Sequence, residues 1–318
     1  MTEFSATAHS LRYQRMSRHW IYASALAVLA FTLFALGAPA TARSAVDFFG
    51  SEQRSLAKVG ITLENSLNRP IREEVSSDGN GGEFRTGDNP LRTAYETAGQ
   101  AVTNTKPVQS TINALEALCF ALFPVLFFAY GVITATRDTR LGTLKVNAVR
   151  YGPRQLFLSG LTAVTASVTL VVTVSAGLGL LVATGVWLGN PVDLGGHPDL
   201  VPPPQAGVGQ LLVTMAVTIG VGAFFGILGV ALGTIFRQAL VIIPAFLVAF
   251  FLVPLTWRFD PRNLLMTAVR DFLDFKGTFI PSPSLGVSQV LALVVVLGIG
   301  AAAVAAGSQV ATRRSLYR

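Results

Sequence analysis

A basic segment between two apolar stretches carries the residue types best suited to chemistry in this chain. It runs from Arg137 to Arg154 and holds five cations and one acid, Asp138. Cations on a short, structured connection can pair with acids on another protein, which gives register and specificity more than raw affinity. The chemistry indicated here is therefore recognition of a soluble partner rather than the making or breaking of a bond.

The sequence lacks the signatures of soluble enzymes and of metal sites. It has neither a Gly-x-x-x-x-Gly-Lys-Ser/Thr phosphate loop nor a Gly-x-Ser-x-Gly nucleophile elbow. His9, His19, His197 and the one cysteine, Cys119, do not have metal-ligand spacing. We expect no catalytic residue, metal or cofactor in this chain, and we expect Cys119 to be a small buried hydrophobe.

Composition indicates a membrane protein, because 51% of the 318 residues are hydrophobic and only 13% are charged. Soluble domains average roughly 25% charged residues, and a membrane span needs about 20 apolar residues. We therefore predict an all-α polytopic membrane protein with six transmembrane helices. The predicted segments are an N-terminal tail or interfacial helix at 1–19, spans at 20–40, 111–136, 155–188, 208–236, 239–257 and 285–311, external loops at 41–110 and 189–207, the basic segment at 137–154, an external or re-entrant helical segment at 258–284, and a C-terminal tail at 312–318.

The distribution of charge predicts the orientation. The two tails, the basic segment and the turn at Arg237 together hold twelve cations and two acids, whereas the 189–207 loop has no cation. Because cytoplasmic loops are enriched in Lys and Arg, both termini are predicted to be cytoplasmic. The N-terminus also resembles a secretory signal ending near Ala42; we expect it to be retained, and its cleavage would leave five spans.

The external loop at 41–110 is mostly polar, with eight cations and nine acids. We predict helical flanks around a turn-rich centre, Ser76 to Gly82, and little core because aromatic residues are few. Alternatively, this loop is a cap that gathers substrate or binds a partner. In the 258–284 segment, apolar residues at helical spacing predict a helix from Arg262 to Phe275 that lies at the outer interface or dips partly into it; the alternative is an ordinary connecting loop. In the fifth span, Pro244 and Pro254 are expected to bend or break the helix.

Charged residues are nearly absent from the predicted spans, and only Glu116 lies within one. Glu116 lies either at headgroup level or in a polar contact at the outer mouth of a translocation path. The fourth span contains Gly222-x-x-x-Gly226 and Gly229-x-x-x-Gly233, a spacing that lets helix backbones approach closely. This face either packs inside the protein or slides during transport. Since proton-coupled transporters usually carry ionisable groups in their spans, an external energy source is favoured.

The basic segment and the end of the preceding span resemble the ABC-2 type transporter permeases. Phe123 to Gly131 is followed by Asp138, by Gly142-Thr143-Leu144-Lys145 and by Arg154. That family has an acid, a Gly-Thr-Leu-Lys/Arg run and a Pro-x-Ser-Arg element in this order. The chain departs from the pattern at Arg140, where a second acid is frequent, and at 151–153, where Tyr-Gly-Pro replaces Pro-x-Ser.

The resemblance implies the transmembrane subunit of an ATP-driven exporter in a cell membrane, which we expect to be a bacterial inner membrane. It implies a homo- or heterodimer of permeases, each bound to a separate ATPase subunit that holds ATP and Mg, with no nucleic-acid partner. It makes 137–154 a coupling helix. The residues implied in ATPase coupling are Asp138, Arg140, Leu141, Gly142, Thr143, Leu144, Lys145, Arg150 and Arg154.

Two alternatives remain open. One is a secondary transporter that needs no ATPase. The other is a membrane-anchored scaffold or sensor that binds a ligand through the 41–110 loop. Apolar spans with few polar groups favour lipid-like, peptide or drug-like cargo over ions.

Overall fold

The described part of the chain is almost entirely helical. The computed structural model describes residues 7–8, 10–12, 18–70, 73–77, 83–194, 197–252, 261–273, 275 and 286–315. The helices are α1 (His19–Ala57), α2 (Leu63–Leu67), α3 (Pro90–Asn104), α4 (Pro107–Ala121), α5 (Phe123–Arg140), α6 (Leu144–Tyr151), α7 (Pro153–Gly189), α8 (Val208–Phe236), α9 (Ala239–Leu247), α10 (Pro261–Val269) and α11 (Gln289–Ser315). A π-helical turn, Val248–Leu252, follows α9, and a 3-10 turn, Arg270–Phe272, follows α10.

One antiparallel hairpin interrupts the helices. Strand β1 (Glu73–Ser77) pairs with strand β2 (Glu83–Gly87), and Glu73 lies opposite Gly87. The predicted turn-rich centre thus begins inside β1, and its remainder, 78–82, lies outside the described residues.

Four helices are long and apolar enough to cross a membrane, namely α1, α7, α8 and most of α11. The pair α4 and α5 meets the same criteria when taken together, which gives up to five candidate spans. Helix α9 with part of its π turn, Ala239–Phe251, is apolar but shorter. The chain is therefore a helical, multi-pass membrane protein with four or five candidate spans among the described residues. The six predicted spans are not confirmed, and residues 253–257 of the fifth lie outside the described residues.

Helix α1 continues past the predicted end of the first span, to Ala57. Hydropathy falls after residue 40, but residues 41–57 contain no proline and many good helix formers, so the helix persists. It ends in a Schellman motif: the N–H of Ile61 donates to the carbonyl of Leu56, and that of Gly60 donates to Ala57. Gly60 takes the positive φ of 79° that this motif requires.

The predicted second span is broken at Leu122, where α4 and α5 meet at an angle of 55°. Pro124 is the physical cause, because proline has no N–H to donate to the carbonyl of Phe120 and its ring crowds that carbonyl. The predicted span 111–136 therefore consists of two helices rather than one continuous helix.

The chain divides into two compact units. The first comprises residues up to Phe31, Ile112–Leu178 and Gly209–Arg318. Its apolar core takes residues from α4, α5, α8, α10 and α11, and Leu264, Leu265 and Ala268 of α10 are all buried in it. The helix predicted over 262–275 is α-helical only over Pro261–Val269 and ends in the 3-10 turn Arg270–Phe272. Its apolar face packs into this core. Phe272, in the turn that follows, is 52% exposed.

The second unit comprises Thr32–Thr111 and Gly179–Val208. It has an apolar core of its own, which corrects the expectation drawn from its few aromatic residues. Small side chains let its helices approach closely, and Leu200 from the 189–207 loop completes the cluster. The ring of Phe49 meets both Tyr95 and His197 edge-on, at 5.7 Å between centroids. The hydroxyl of Thr103 donates to the carbonyl of Pro203 at 2.7 Å, which fixes the loop to α3.

Candidate functional site

A tight turn joins α5 to the short helix α6 and contains the acid and the Gly-Thr pair of the predicted coupling segment. Gly142 adopts a positive φ of 68°, a conformation that favours glycine. The backbone N–H of Thr143 donates to the carbonyl of Asp138 at 3.0 Å, and the Thr143 hydroxyl donates to Oδ1 of Asp138 at 3.2 Å. The acid therefore stabilises the turn that starts α6.

Asp138 is also paired with a neighbouring cation. Nε of Arg137 lies 3.3 Å from Oδ1 of Asp138, and the two side chains are only 13% and 18% exposed. The acid of the segment thus lies in a local polar network, and the remaining cations are not needed to neutralise it.

Helix α6 and its flanking turn expose apolar and cationic side chains together. Leu141, Val146 and Val149 are 59%, 68% and 90% exposed, so three aliphatic side chains of one short stretch face outward. The cations on the same stretch that are exposed are Arg140, Lys145 and Arg150. An apolar centre with a cationic rim is the arrangement that protein interfaces use.

The Tyr-Gly-Pro run at the end of α6 forms the junction with α7. Gly152 has φ 81° and ψ 143°, a combination that is essentially restricted to glycine. Its N–H donates to the carbonyl of Ala148, and its own carbonyl accepts the N–H of Leu156 in α7. Pro153 occupies the first position of α7, where a missing N–H costs nothing. Tyr151 is buried, and the Arg150 guanidinium lies 5.2 Å from its ring centroid.

A cavity of about 580 Å³ lies in the first unit beside these turns. Its charged lining residues are Arg137, Asp138, Lys145 and Arg237. Apolar lining residues include Leu144 and Val149 of α6, Leu156 and Phe157 of α7, and Val230 of α8. Arg237 was predicted only to lie in a cytoplasmic turn, because nothing in the sequence placed it beside the 137–154 segment.

Glu116 is buried in the first unit, with 1% of its surface exposed, rather than solvated at headgroup level. Its Oε1 accepts the backbone N–H of Phe275 at 3.3 Å. This hydrogen bond connects α4 to Phe275, which follows α10; a place for Glu116 at the outer mouth of a translocation path stays a prediction.

The glycines of α8 are closely packed against α5 and α7. A Cβ at Gly222 would lie 2.7 Å from Cδ2 of Phe127, and one at Gly226 would lie 2.6 Å from Cγ1 of Val164. At Gly229 it would collide with the carbonyl of Phe128, and at Gly233 it would lie 2.9 Å from Cβ of Ala135. In this structure the four glycines serve helix packing, and they do not line the cavity.

Among the described residues, no group of three or more His, Cys, Asp or Glu side chains is placed to hold a metal ion. Comparisons of the chain with family models, with curated proteins and with solved structures gave no match.

Proposed function

We propose that this chain is the transmembrane subunit of an ATP-driven exporter of the ABC-2 type, and that α6 is the surface that receives a separate ATPase subunit. The observation that carries the proposal is the joint exposure of apolar and cationic side chains on α6, with Val149 90% exposed. Burial of such side chains against a partner is favourable by about 25 cal/mol per Å² of apolar surface.

The attachment of α6 at both ends supports a coupling role. At its start, the hydrogen bonds between Thr143 and Asp138 join it to α5. At its end, Gly152 and Pro153 join it to α7 without an intervening flexible loop. A displacement of α6 by a partner would therefore be passed to both long helices, as rigid elements transmit motion in switching proteins.

The remaining parts of the machinery belong to partners in this proposal. ATP and Mg are held by the ATPase subunit, and this chain makes or breaks no bond. A second permease copy, identical or related, completes the translocation path in the cell membrane. Glu116 and the glycine face of α8 then contribute packing and polar contacts to the permease rather than a route for the substrate.

The test uses the full chain, purified from its own membranes with a tag. Wild-type chain should co-purify with ATP hydrolysis that vanadate inhibits. In the triple variant Arg140→Glu, Lys145→Glu, Arg150→Glu, the co-purifying ATP hydrolysis should fall at least about tenfold. This corresponds to a loss of roughly 1.4 kcal/mol of binding free energy. The control triple variant Arg43→Glu, Lys58→Glu, Arg69→Glu changes three exposed cations of the second unit and should retain it. Equal ATP hydrolysis by both variants would contradict the proposal.

A second candidate function is a membrane-anchored scaffold or sensor, which is favoured by the second unit having its own core. It predicts a ligand-binding protein without ATP-dependent transport. Transport that continues without ATP and collapses with the ion gradient would instead indicate a secondary transporter.

A further inference from the structure

We propose that the cavity between the ends of α5, α6, α7 and α8 binds the phosphate headgroup of an anionic phospholipid. The inference does not depend on an ATPase partner, because the cavity belongs to this chain alone and one of its cations, Arg237, lies outside the coupling segment.

The charge of the lining selects an anion. Three cations, Arg137, Lys145 and Arg237, line the cavity with one acid, Asp138. Because Asp138 is paired with Arg137 at 3.3 Å, the lining keeps a surplus of positive charge. Basic pockets between membrane helices on the cytoplasmic side are suited to anionic headgroups. The predicted orientation places the 137–154 segment and the turn at Arg237 on that side.

The start of α6 adds donors to the same cavity. Thr143 occupies the N-cap position but makes no capping hydrogen bond through its side chain, because its hydroxyl is directed to Asp138. Leu144 and Lys145, the first two residues of α6, both line the cavity. Backbone N–H groups at a helix start, together with the helix dipole, favour a phosphate group. These backbone donors add to the attraction of the three lining cations. Without those cations, the start of α6 would not make a binding site.

The apolar lining distinguishes a lipid from a soluble phosphate. Leu156, Phe157 and Val230 line the cavity on helices that are candidate membrane spans. A free phosphate would gain nothing from these side chains, whereas the glycerol and first methylenes of a phospholipid would bury apolar surface against them. The volume of about 580 Å³ falls within the roughly 300–1,000 Å³ typical of small-molecule pockets.

The experiment measures lipid binding to the purified full chain by native mass spectrometry in nonionic detergent. The probes are phosphatidylglycerol, zwitterionic phosphatidylcholine and inorganic phosphate. We expect phosphatidylglycerol to bind more tightly than phosphatidylcholine. The double variant Lys145→Gln, Arg237→Gln should weaken phosphatidylglycerol binding by about 25-fold, from roughly fivefold for each cation removed.

Matched variants separate the cavity from general surface charge and from misfolding. Arg150→Gln, Arg154→Gln removes two cations of the same segment that do not line the cavity and should leave phosphatidylglycerol binding within about twofold of wild type. Arg237→Lys keeps the charge and should also bind like wild type. Lys145→Glu changes an exposed side chain, so the fold should persist while binding falls further than with Lys145→Gln.

Three results would overturn the inference. The first is that wild type binds the two lipids equally well. The second is that phosphatidylglycerol binding falls equally in the cavity double variant and in the control double variant. The third is that a molar excess of inorganic phosphate displaces bound phosphatidylglycerol. The last result would assign the cavity to a soluble phosphate compound instead. Because none of these readouts involves ATP, failure here is distinguishable from failure of the proposed transport function.

Discussion

The hydroxyl of Thr143 donates a 3.2 Å hydrogen bond to Oδ1 of Asp138, across the turn that separates α5 from α6. The backbone of the same two residues is joined by a second hydrogen bond of 3.0 Å. The spacing between the acid and the Gly-Thr pair is therefore a requirement of the turn itself. Any protein that binds α6 therefore meets a helix whose N-cap residue, Thr143, is already fixed in place.

Thr143→Val should loosen this turn, because valine keeps the shape of threonine but has no hydroxyl to donate to Asp138. The expected loss is about 0.5–1.5 kcal/mol of local stability, the net value of a typical hydrogen bond. Hydrogen exchange of the amides of 141–146, followed by mass spectrometry, should be faster in the variant. Thr139→Val is the control, since Thr139 is exposed on the preceding turn. Equal exchange in the two variants would contradict a special role for the hydroxyl of Thr143.

Gly152→Ala should destabilise the junction between α6 and α7, because φ 81° with ψ 143° is strained for any residue with a Cβ. A cost of about 1–3 kcal/mol is expected, seen as a lower midpoint of thermal unfolding in detergent. Gly177→Ala in α7 is the matched control, because Gly177 is exposed within the helix and has open space around it. An unchanged midpoint in Gly152→Ala would mean that the junction relaxes without cost.

Gly229→Ala and Gly220→Ala form a matched pair on α8. A Cβ at Gly229 would collide with the carbonyl of Phe128, whereas at Gly220 it would meet nothing within 4 Å. Overpacking should cost Gly229→Ala about 1–3 kcal/mol, while Gly220→Ala should be neutral or more stable by up to about 1 kcal/mol, since alanine is the better helix former. Thermal unfolding in the same detergent measures both. Equal stability of the two variants would indicate that α8 can move away from α5 freely, as a sliding face would.

The sequence predicted a helix correctly where the end of its apolar run coincides with the end of the helix itself. The fourth span was predicted at 208–236, and α8 has these bounds. Its apolar run stops abruptly at Arg237, and α8 stops with it. Hydropathy alone did not show that α1 runs unbroken from the first span to Ala57, although helical flanks were predicted for the 41–110 loop. It also missed the bend at Leu122, because a proline breaks backbone hydrogen bonding without making the segment less apolar.

The candidate site was predicted in part. The exposed cations of α6 follow from residue type and spacing. Two features did not follow. The sequence did not predict the role of Gly152 and Pro153. Only the backbone shows that the N–H of Gly152 closes the end of α6 while its carbonyl accepts a hydrogen bond from α7. Arg237 lies far along the chain from Lys145, and only the packing of α8 brings both to one cavity. The role of α6 in coupling stays a prediction.

The buried carboxylate of Glu116 accepts the N–H of Phe275 at 3.3 Å and so holds Phe275, which follows α10, against α4. Glu116→Leu removes this acceptor while keeping most of the side-chain volume, and it should cost about 1–3 kcal/mol, the penalty for leaving a buried polar group unsatisfied. Glu116→Gln retains an accepting oxygen and should cost less. Thermal unfolding should therefore rank the proteins as wild type, Gln and Leu in decreasing stability. If the Leu variant were as stable as wild type, the contact would not support the fold, and a loss of transport in that variant would then assign Glu116 to the outer mouth of the path.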